Sequence, residues 1–253
     1  MNRAGGWLAL VALCTCCSGL VSAREIRLAS GEWAPYLSEK SRHFGFASHI
    51  VTEAFKQAGV QVRYEFYPWA RSEALVKVGA VDGSLVWSQT SQRQTFAWFS
   101  DTVMTEEEVV FHLKSTPLVW EHISDLHGRK MGIPLGSKPG RWEEAIQSGK
   151  LVSYPVQDIE TGMKMLLAGR IDIFPLVKTV GYDTLRKKFS AEEAGKIGYS
   201  QRIVERIEYR LMLSKKQDPN RVLLEKFNEG LKKLKKSEVY QEMLRGLERG
   251  DYE

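Results

Sequence analysis

Leu75-Val76-Lys77-Val78-Gly79-Ala80-Val81-Asp82 leads into an apolar run that ends at Trp87. Further along, Leu166-Leu167-Ala168-Gly169-Arg170-Ile171-Asp172 leads into a second apolar run that ends at Val177. Both read as a helix stopped by glycine, followed by a short strand. Glycine just past a helix adopts the left-handed cap that other residues reach only at a cost. A unit that recurs in this way points to two similar halves.

The flanks of the two stretches correspond. In the first half Glu25–Ala29 alternates as a strand does and ends in a loop with Gly31 and Pro35. Ile50, Ala54, Phe55 and Ala58 share a helix face, stopped by Gly59. Val60, Val62, Tyr64 and Phe66 then alternate as a second strand. Pro68 ends it, and a helix starts near Ala70. In the second half Lys130–Leu135 reads as a strand, and Gly136–Gly140 as a loop. A helix near Trp142–Ser148, a strand at Leu151–Val156 and a helix at Ile159–Ala168 follow. Each half thus runs strand, loop, helix, strand, helix, strand. Such alternation predicts right-handed crossovers, a parallel sheet and helices on both faces. The expected fold class is α/β, with two similar α/β lobes and a cleft between them.

Glu106–Leu113 and Ile207–Leu213 lie at the edges of the second half and read as crossover strands joining the lobes. The expected division is lobe one over 24–112, an inserted lobe two over 113–206, and a return to lobe one over 207–253. The return carries C-terminal helices: Asp218-Pro219 is a start signal, and Leu223, Phe227, Leu231 and Leu234 form a stripe. Lys232-Lys233-Leu234-Lys235-Lys236 reads as a solvated helix face.

The chain has 253 residues, 43% of them hydrophobic and 26% charged, with a formal net charge of +5. These values exclude a disordered chain, a fibre and a multi-span membrane protein. The charges are dispersed, so no nucleic-acid partner is expected. Residues 1–23 carry a single charge, Arg3, then the apolar run Trp7–Cys17 and the small-residue end Val21-Ser22-Ala23. They read as a secretory signal peptide cleaved before Arg24, which places the mature protein in a periplasm. Cys14, Cys16 and Cys17 all lie in this segment, so the mature chain has no disulfide or thiol chemistry. The residues before them fit a lipid anchor poorly. The mature balance is 35 basic against 31 acidic side chains, or +4.

In open parallel sheets, ligands bind beyond the carboxyl ends of the strands. The loops there hold Trp33 and Tyr36, Trp69 and Arg71, Trp87, Ser88 and Arg93, and in the second half Ser137 and Arg141. Aromatic walls stack planar groups, and arginine offers a fork for a carboxylate or phosphate. Each has a plainer reading: packing for the tryptophans, surface ion pairs for the arginines, and a helix cap for Ser137. No zinc-protease, nucleophile-elbow or Walker pattern is present. The five histidines show no metal-ligand spacing, and no metal or cofactor is expected. Glu106-Glu107-Glu108 reads as a solvated run rather than a site.

Several motifs together resemble the bacterial periplasmic solute-binding proteins of family 3, which include the polar amino-acid receptors of ABC transporters. The carriers are Trp33-Ala34-Pro35-Tyr36, Gly79-Ala80-Val81-Asp82, Ser88–Arg93 leading to Phe99-Ser100, and Asp125–Gly132. Gly136-Ser137 and Gly169-Arg170-Ile171-Asp172 continue the pattern. Tyr67-Pro68-Trp69-Ala70-Arg71 resembles a subgroup with Tyr-Pro-Trp-x-Arg. The resemblance implies a type II periplasmic-binding-protein fold closing on a small ligand, hinged on two crossover strands near 112–116 and 204–208. It matches Arg93 to the arginine that clamps an α-carboxylate, Ser88 to a hydroxyl or backbone contact, Trp33 to the covering aromatic and Ser137 to a lobe-two contact. It also implies a non-catalytic monomer that delivers ligand to a membrane permease. The alternatives are a ligand sensor for a membrane receptor, or a dehydratase-type enzyme on the same scaffold.

One departure concerns the ligand. The family's amino-acid receptors place an acid soon after the lobe-two Gly-x-Ile-Asp, where this chain has Ile173-Phe174-Pro175-Leu176-Val177-Lys178. An ammonium there lacks its counter-charge, so a standard α-amino acid is not the expected ligand. Arg71, Arg93, Arg141 and Lys178 point instead to an anionic or aromatic carboxylate.

Overall fold

A computed structural model describes residues 24–252 except 136 and 138. The expected signal peptide lies outside the described residues. The elements run β1 (Arg24–Ser30), α1 (Phe46–Lys56), β2 (Val60–Phe66), α2 (Trp69–Val78), β3 (Gly83–Trp87), α3 (Ser91–Gln94) and β4 (Ala97–Leu113). Then come β5 (Lys130–Pro134), α4 (Glu143–Gln147), β6 (Val152–Val156), α5 (Ile159–Leu167), β7 (Phe174–Val177) and α6 (Lys178–Lys188). The chain ends with α7 (Ala191–Lys196), β8 (Ile197–Ser214), α8 (Asn220–Leu234) and α9 (Glu238–Arg249).

The internal repeat has a common physical basis. Gly79 caps α2 at φ 77°, its N–H bonding to the carbonyls of Leu75 and Val76. Gly169 takes the same left-handed region after α5, at φ 64°. The two aspartates that follow make equivalent bonds. Asp82 Oδ2 accepts from the Arg27 N–H at 2.8 Å, and the Asp82 N–H donates to the Arg27 carbonyl at 3.0 Å. Asp172 Oδ2 accepts from the Lys130 N–H at 2.8 Å, and its N–H donates to the Lys130 carbonyl at 2.7 Å. In each lobe this aspartate ties the helix end to that lobe's first strand.

The sheets are mixed, not parallel throughout as the alternation suggested. The order is β2-β1-β3-β8-β4-β7, with β5-β6 as a second pair. β1 is parallel to β2 and β3, and β5 is parallel to β6. β8 runs antiparallel to both β3 and β4, and β4 antiparallel to β7. The reason is topological: β4 leaves lobe one as β8 returns to it, so the two run in opposite directions. Both are far longer than the short connectors expected, at 17 and 18 residues. Their pairing slips in register four times between Phe99 and Phe111.

Lobe one packs around Ile26, Leu28, Ile50, Phe55, Leu85 and Phe227, all fully buried. The stripe Leu223, Phe227, Leu231 and Leu234 of α8 is buried as its spacing predicts. Phe227 stacks on Phe55 of α1 with ring centroids 4.8 Å apart. Tyr252 closes the lobe: its ring meets Phe46 edge-on, and its hydroxyl lies 2.8 Å from His49 Nδ1. Lobe two has two smaller cores. Met163, Leu166 and Phe174 form one, joined by Phe111 from the crossover strand β4, and Trp120, Leu126, Met131 and Trp142 form the other.

Candidate ligand-binding cleft

Two cavities share Trp33 and Trp69, and the larger lies between the lobes. The larger, about 650 Å³, is bounded on the lobe-one side by Trp33, Pro68, Trp69 and Ala70. Its lobe-two side is Ile133, Pro134, Leu135, Ser137, Trp142 and Pro175–Val177, with Glu108 entering from β4. The smaller, about 320 Å³, shares Trp33 and Trp69 and continues to Val86, Trp87, Ser88, Arg93 and Tyr209. The larger volume is that of an ordinary small-molecule site.

Local folding positions the aromatic walls. Trp33 follows β1 and is wedged between Tyr36 and Tyr209, at centroid distances of 4.8 and 5.0 Å. Trp69 opens α2, where Pro68 ends the preceding extended segment. Its indole lies over Gly31, where any Cβ would sit 2.4 Å from Trp69 Cε2, so the close approach requires glycine. Trp69 meets Trp87 edge-on at 5.4 Å. Val86, just before Trp87, is buried with φ +64°. That is an outlier for a β-branched residue, and it falls where β3 slips register against β8.

Arg93 is the best-organised charge in the cleft. Its Nη1 donates to the Ser88 carbonyl at 3.1 Å and to Ser88 Oγ at 3.2 Å. Its Nε donates to Glu73 Oε1 at 3.2 Å. Its guanidinium lies 4.5 Å from the Trp87 ring centroid, and its side chain is 17% exposed. Ser88, on the strand-end loop, thus orients the arginine through both its carbonyl and its hydroxyl.

Of the sequence-predicted site residues, Trp33, Trp69 and Ser137 line the larger cavity, and Trp87, Ser88 and Arg93 the smaller. Ser137 donates its hydroxyl to the Pro134 carbonyl at 2.6 Å. The others lie elsewhere. Tyr36 is fully buried in the lobe-one core, and its hydroxyl has no hydrogen-bond partner among the described residues. Burial, reinforced by the nearby Glu106 carboxylate, pushes that phenol's pKa up. Arg71 stacks on Tyr67 at 4.7 Å and lines neither cavity. Arg141 is spent on the Val204 carbonyl and on Glu205, 3.1 Å away. Lys178 lies 4.8 Å over the Tyr199 ring. The four cations expected to converge therefore do not: among the described residues, only Arg93 lines these cavities.

The reading of Glu106-Glu107-Glu108 as a solvated run is corrected. These residues lie in β4, where side chains alternate between faces. Glu107 pairs with Arg206 at 3.1 Å. Glu106 is half-buried and accepts from Thr179 Oγ1 at 3.1 Å. Glu108 is half-buried in the cleft and accepts from Trp142 Nε1 at 3.2 Å. Loss of solvent raises the pKa of both Glu106 and Glu108. The period of two was the missed signal, because it separates Glu107 from its neighbours. Tyr209 and Trp142 also went unnoticed, since neither sits on a predicted strand-end loop.

The bacterial extracellular solute-binding proteins, family 3, match this chain over residues 27–246. The chain belongs to that family. Family 3 proteins bind small molecules and are typically extracellular or periplasmic. The fold agrees with solved structures. An ancestral arginine-binding protein with arginine bound superposes at TM-score 0.69 and 19% identity, covering 88% of this chain and 97% of that one. A histidine kinase sensor domain similar to periplasmic binding proteins gives 0.70 at 17% identity, covering 89% and 96%. An ancestral amino-acid-binding protein, a precursor of cyclohexadienyl dehydratase, gives 0.66 at 18% identity, covering 88% and 94%. No curated protein sequence matches. At these identities the likeness establishes the type II periplasmic-binding-protein fold, and the family supports a ligand-binding role.

Proposed function

We propose that this family 3 protein captures a small, carboxylate-bearing ligand in the periplasm and delivers it to the permease of an ABC transporter. The observation that carries this reading is the cavity pair: the larger is bounded by both lobes, and the smaller is lined by an arginine that Ser88 already holds in place. The ligand's carboxylate meets Arg93, which Ser88 and Trp87 already hold in place. Its body lies against Trp33 and Trp69. Lobe two, the inserted segment 113–206, then closes over it and adds Ser137 and Trp142. The lobe-one segments are 24–112 and 207–253, and the hinge lies near 112–116 and 204–208. Contacts available only in the closed state bias the equilibrium toward closure. The mature protein begins at Arg24 and acts as a monomer, without catalysis.

Thermal melting of Arg24–Glu253 against a panel of carboxylates, amino acids, amines, sugars and metals tests this function. A ligand at about 100 times its Kd stabilises by about 2.7 kcal/mol. At roughly 2–4 °C per kcal/mol for a chain of this size, the melting temperature rises by about 5–10 °C. The expected responders are carboxylates. Responses from sugars or metals alone contradict the proposal.

A further inference from the structure

The end of lobe one away from the cavities carries a surface that ligand capture does not use. Strand register fixes which end this is. Gly83 at the start of β3, Leu213 near the end of β8 and Trp98 near the start of β4 pair at one level of the sheet. Trp87, which lines the smaller cavity, closes the opposite end of β3. β1 runs parallel to β3 and begins with Arg24 at the same end as Gly83. The export signal expected over residues 1–23 therefore joins the fold here.

Three large hydrophobic side chains are exposed at this end: Val78 at 69%, Trp98 at 39% and Val222 at 55%. Cations lie among them. The Lys215 ammonium is 4.2 Å from the Trp98 ring centroid. Lys216 packs against Gly79, the neighbour of Val78, where a Cβ would lie 2.7 Å from Lys216 Cβ. Asn220 Nδ2 donates to the Ser214 and Asp82 carbonyls, which holds the first turn of α8, with Arg221 and Val222, at the same end. Lys77 precedes Val78 at the end of α2. Among the described residues Lys77, Lys215, Lys216 and Arg221 form no ion pair. Asp218 is the single acid between residues 215 and 222, and the Asp82 carboxylate is held by the Arg27 N–H.

A protein interface gathers its apolar groups into a core with a polar rim. Here apolar and cationic groups alternate instead. That mixture suits the boundary of a bilayer. An indole sits at headgroup level, lysine and arginine lay their stems along apolar surface with the charge outward, and each cation is drawn to an anionic leaflet.

We propose that this end of lobe one docks on a bilayer of anionic phospholipid, with Trp98 among the headgroups and Lys77, Lys215, Lys216 and Arg221 on the phosphates. In the docked state the cavities face away from the bilayer and stay open to ligand. The proposal stands independently of which ligand the cleft takes.

The test is co-sedimentation of Arg24–Glu253 with vesicles of phosphatidylglycerol and phosphatidylcholine in equal parts, and with phosphatidylcholine alone. The protein sediments with the anionic vesicles, not with the neutral ones, and rising salt releases it. The triple substitution Lys77→Gln, Lys216→Gln and Arg221→Gln weakens partitioning about tenfold or more. Trp98→Thr, which leaves the charge unchanged, also weakens it. The double substitution Lys232→Gln and Lys233→Gln, at the far end of α8, leaves it as in wild type. Melting temperatures matching wild type show that each variant is folded. Absence of sedimentation with anionic vesicles overturns the proposal, as does binding that survives the triple substitution. Equal weakening by Lys232→Gln with Lys233→Gln also overturns it, because net charge alone then explains the binding. Capture by immobilised polyglutamate without vesicle binding assigns the surface to an acidic protein and overturns the lipid reading.

Discussion

Gly230→Val lowers the melting temperature by about 6–12 °C. Gly230 lies inside α8, where α8 crosses α1. A Cβ there would fall 2.1 Å from the Ala54 carbonyl oxygen and 3.1 Å from its carbon. The obstacle is backbone, so no rotamer change relieves it. α8 must lift from α1, which opens the Phe55–Phe227 stack. Overpacking of this kind costs about 3 kcal/mol, and each kcal/mol is worth roughly 2–4 °C at this size. Gly195→Ala is the control, since open space surrounds that position in α7. It leaves the melting temperature unchanged or slightly higher, because alanine favours helix by about 1 kcal/mol. Equal melting of wild type and Gly230→Val contradicts the packing described for lobe one.

Arg93→Ala weakens a carboxylate ligand by about 30-fold or more, measured as Kd by calorimetry. Truncating one member of a largely desolvated charge pair costs about 2–5 kcal/mol, and each 1.4 kcal/mol is tenfold. The effect needs separating from Glu73, which is Arg93's partner at 3.2 Å and is left uncompensated by the substitution. Glu73→Gln answers that. It keeps Arg93 in place through Ser88 and Trp87 and removes a competing carboxylate, so affinity is held or rises. Arg93→Lys retains the charge but loses the fork, and falls between wild type and Arg93→Ala. An unchanged Kd in Arg93→Ala places the ligand's carboxylate elsewhere.

The sequence was legible where a local rule acts alone. The glycine stops at Gly79 and Gly169 and the stripe Leu223–Leu234 depend on neighbours in the chain, and each forms as its spacing predicts. The aromatic and arginine positions of the first lobe were read from strand ends, and Trp33, Trp69, Trp87, Ser88 and Arg93 line the two cavities. Tertiary pairing was less accessible. Local alternation does not reveal that β4 and β8 run antiparallel along their lengths, and the expected all-parallel sheet gave way to a mixed one. Nor does it reveal how cations are spent. Arg141 and Lys178 engage partners distant in sequence and Arg71 stacks on the nearby Tyr67, and none of the three lines the cavities. Glu108 shows the reverse. A run of three acids resembles solvated surface until its two-residue alternation is recognised, and its isolation emerges only once Trp142 and the apolar walls surround it.

Small-angle X-ray scattering of Arg24–Glu253, without ligand and saturated with the strongest responder from the melting panel, tests capture by closure directly. The account predicts a smaller radius of gyration for the saturated protein, as lobe two swings about the β4–β8 crossover onto Trp33 and Trp69. A saturated protein whose scattering matches that of the free protein contradicts it.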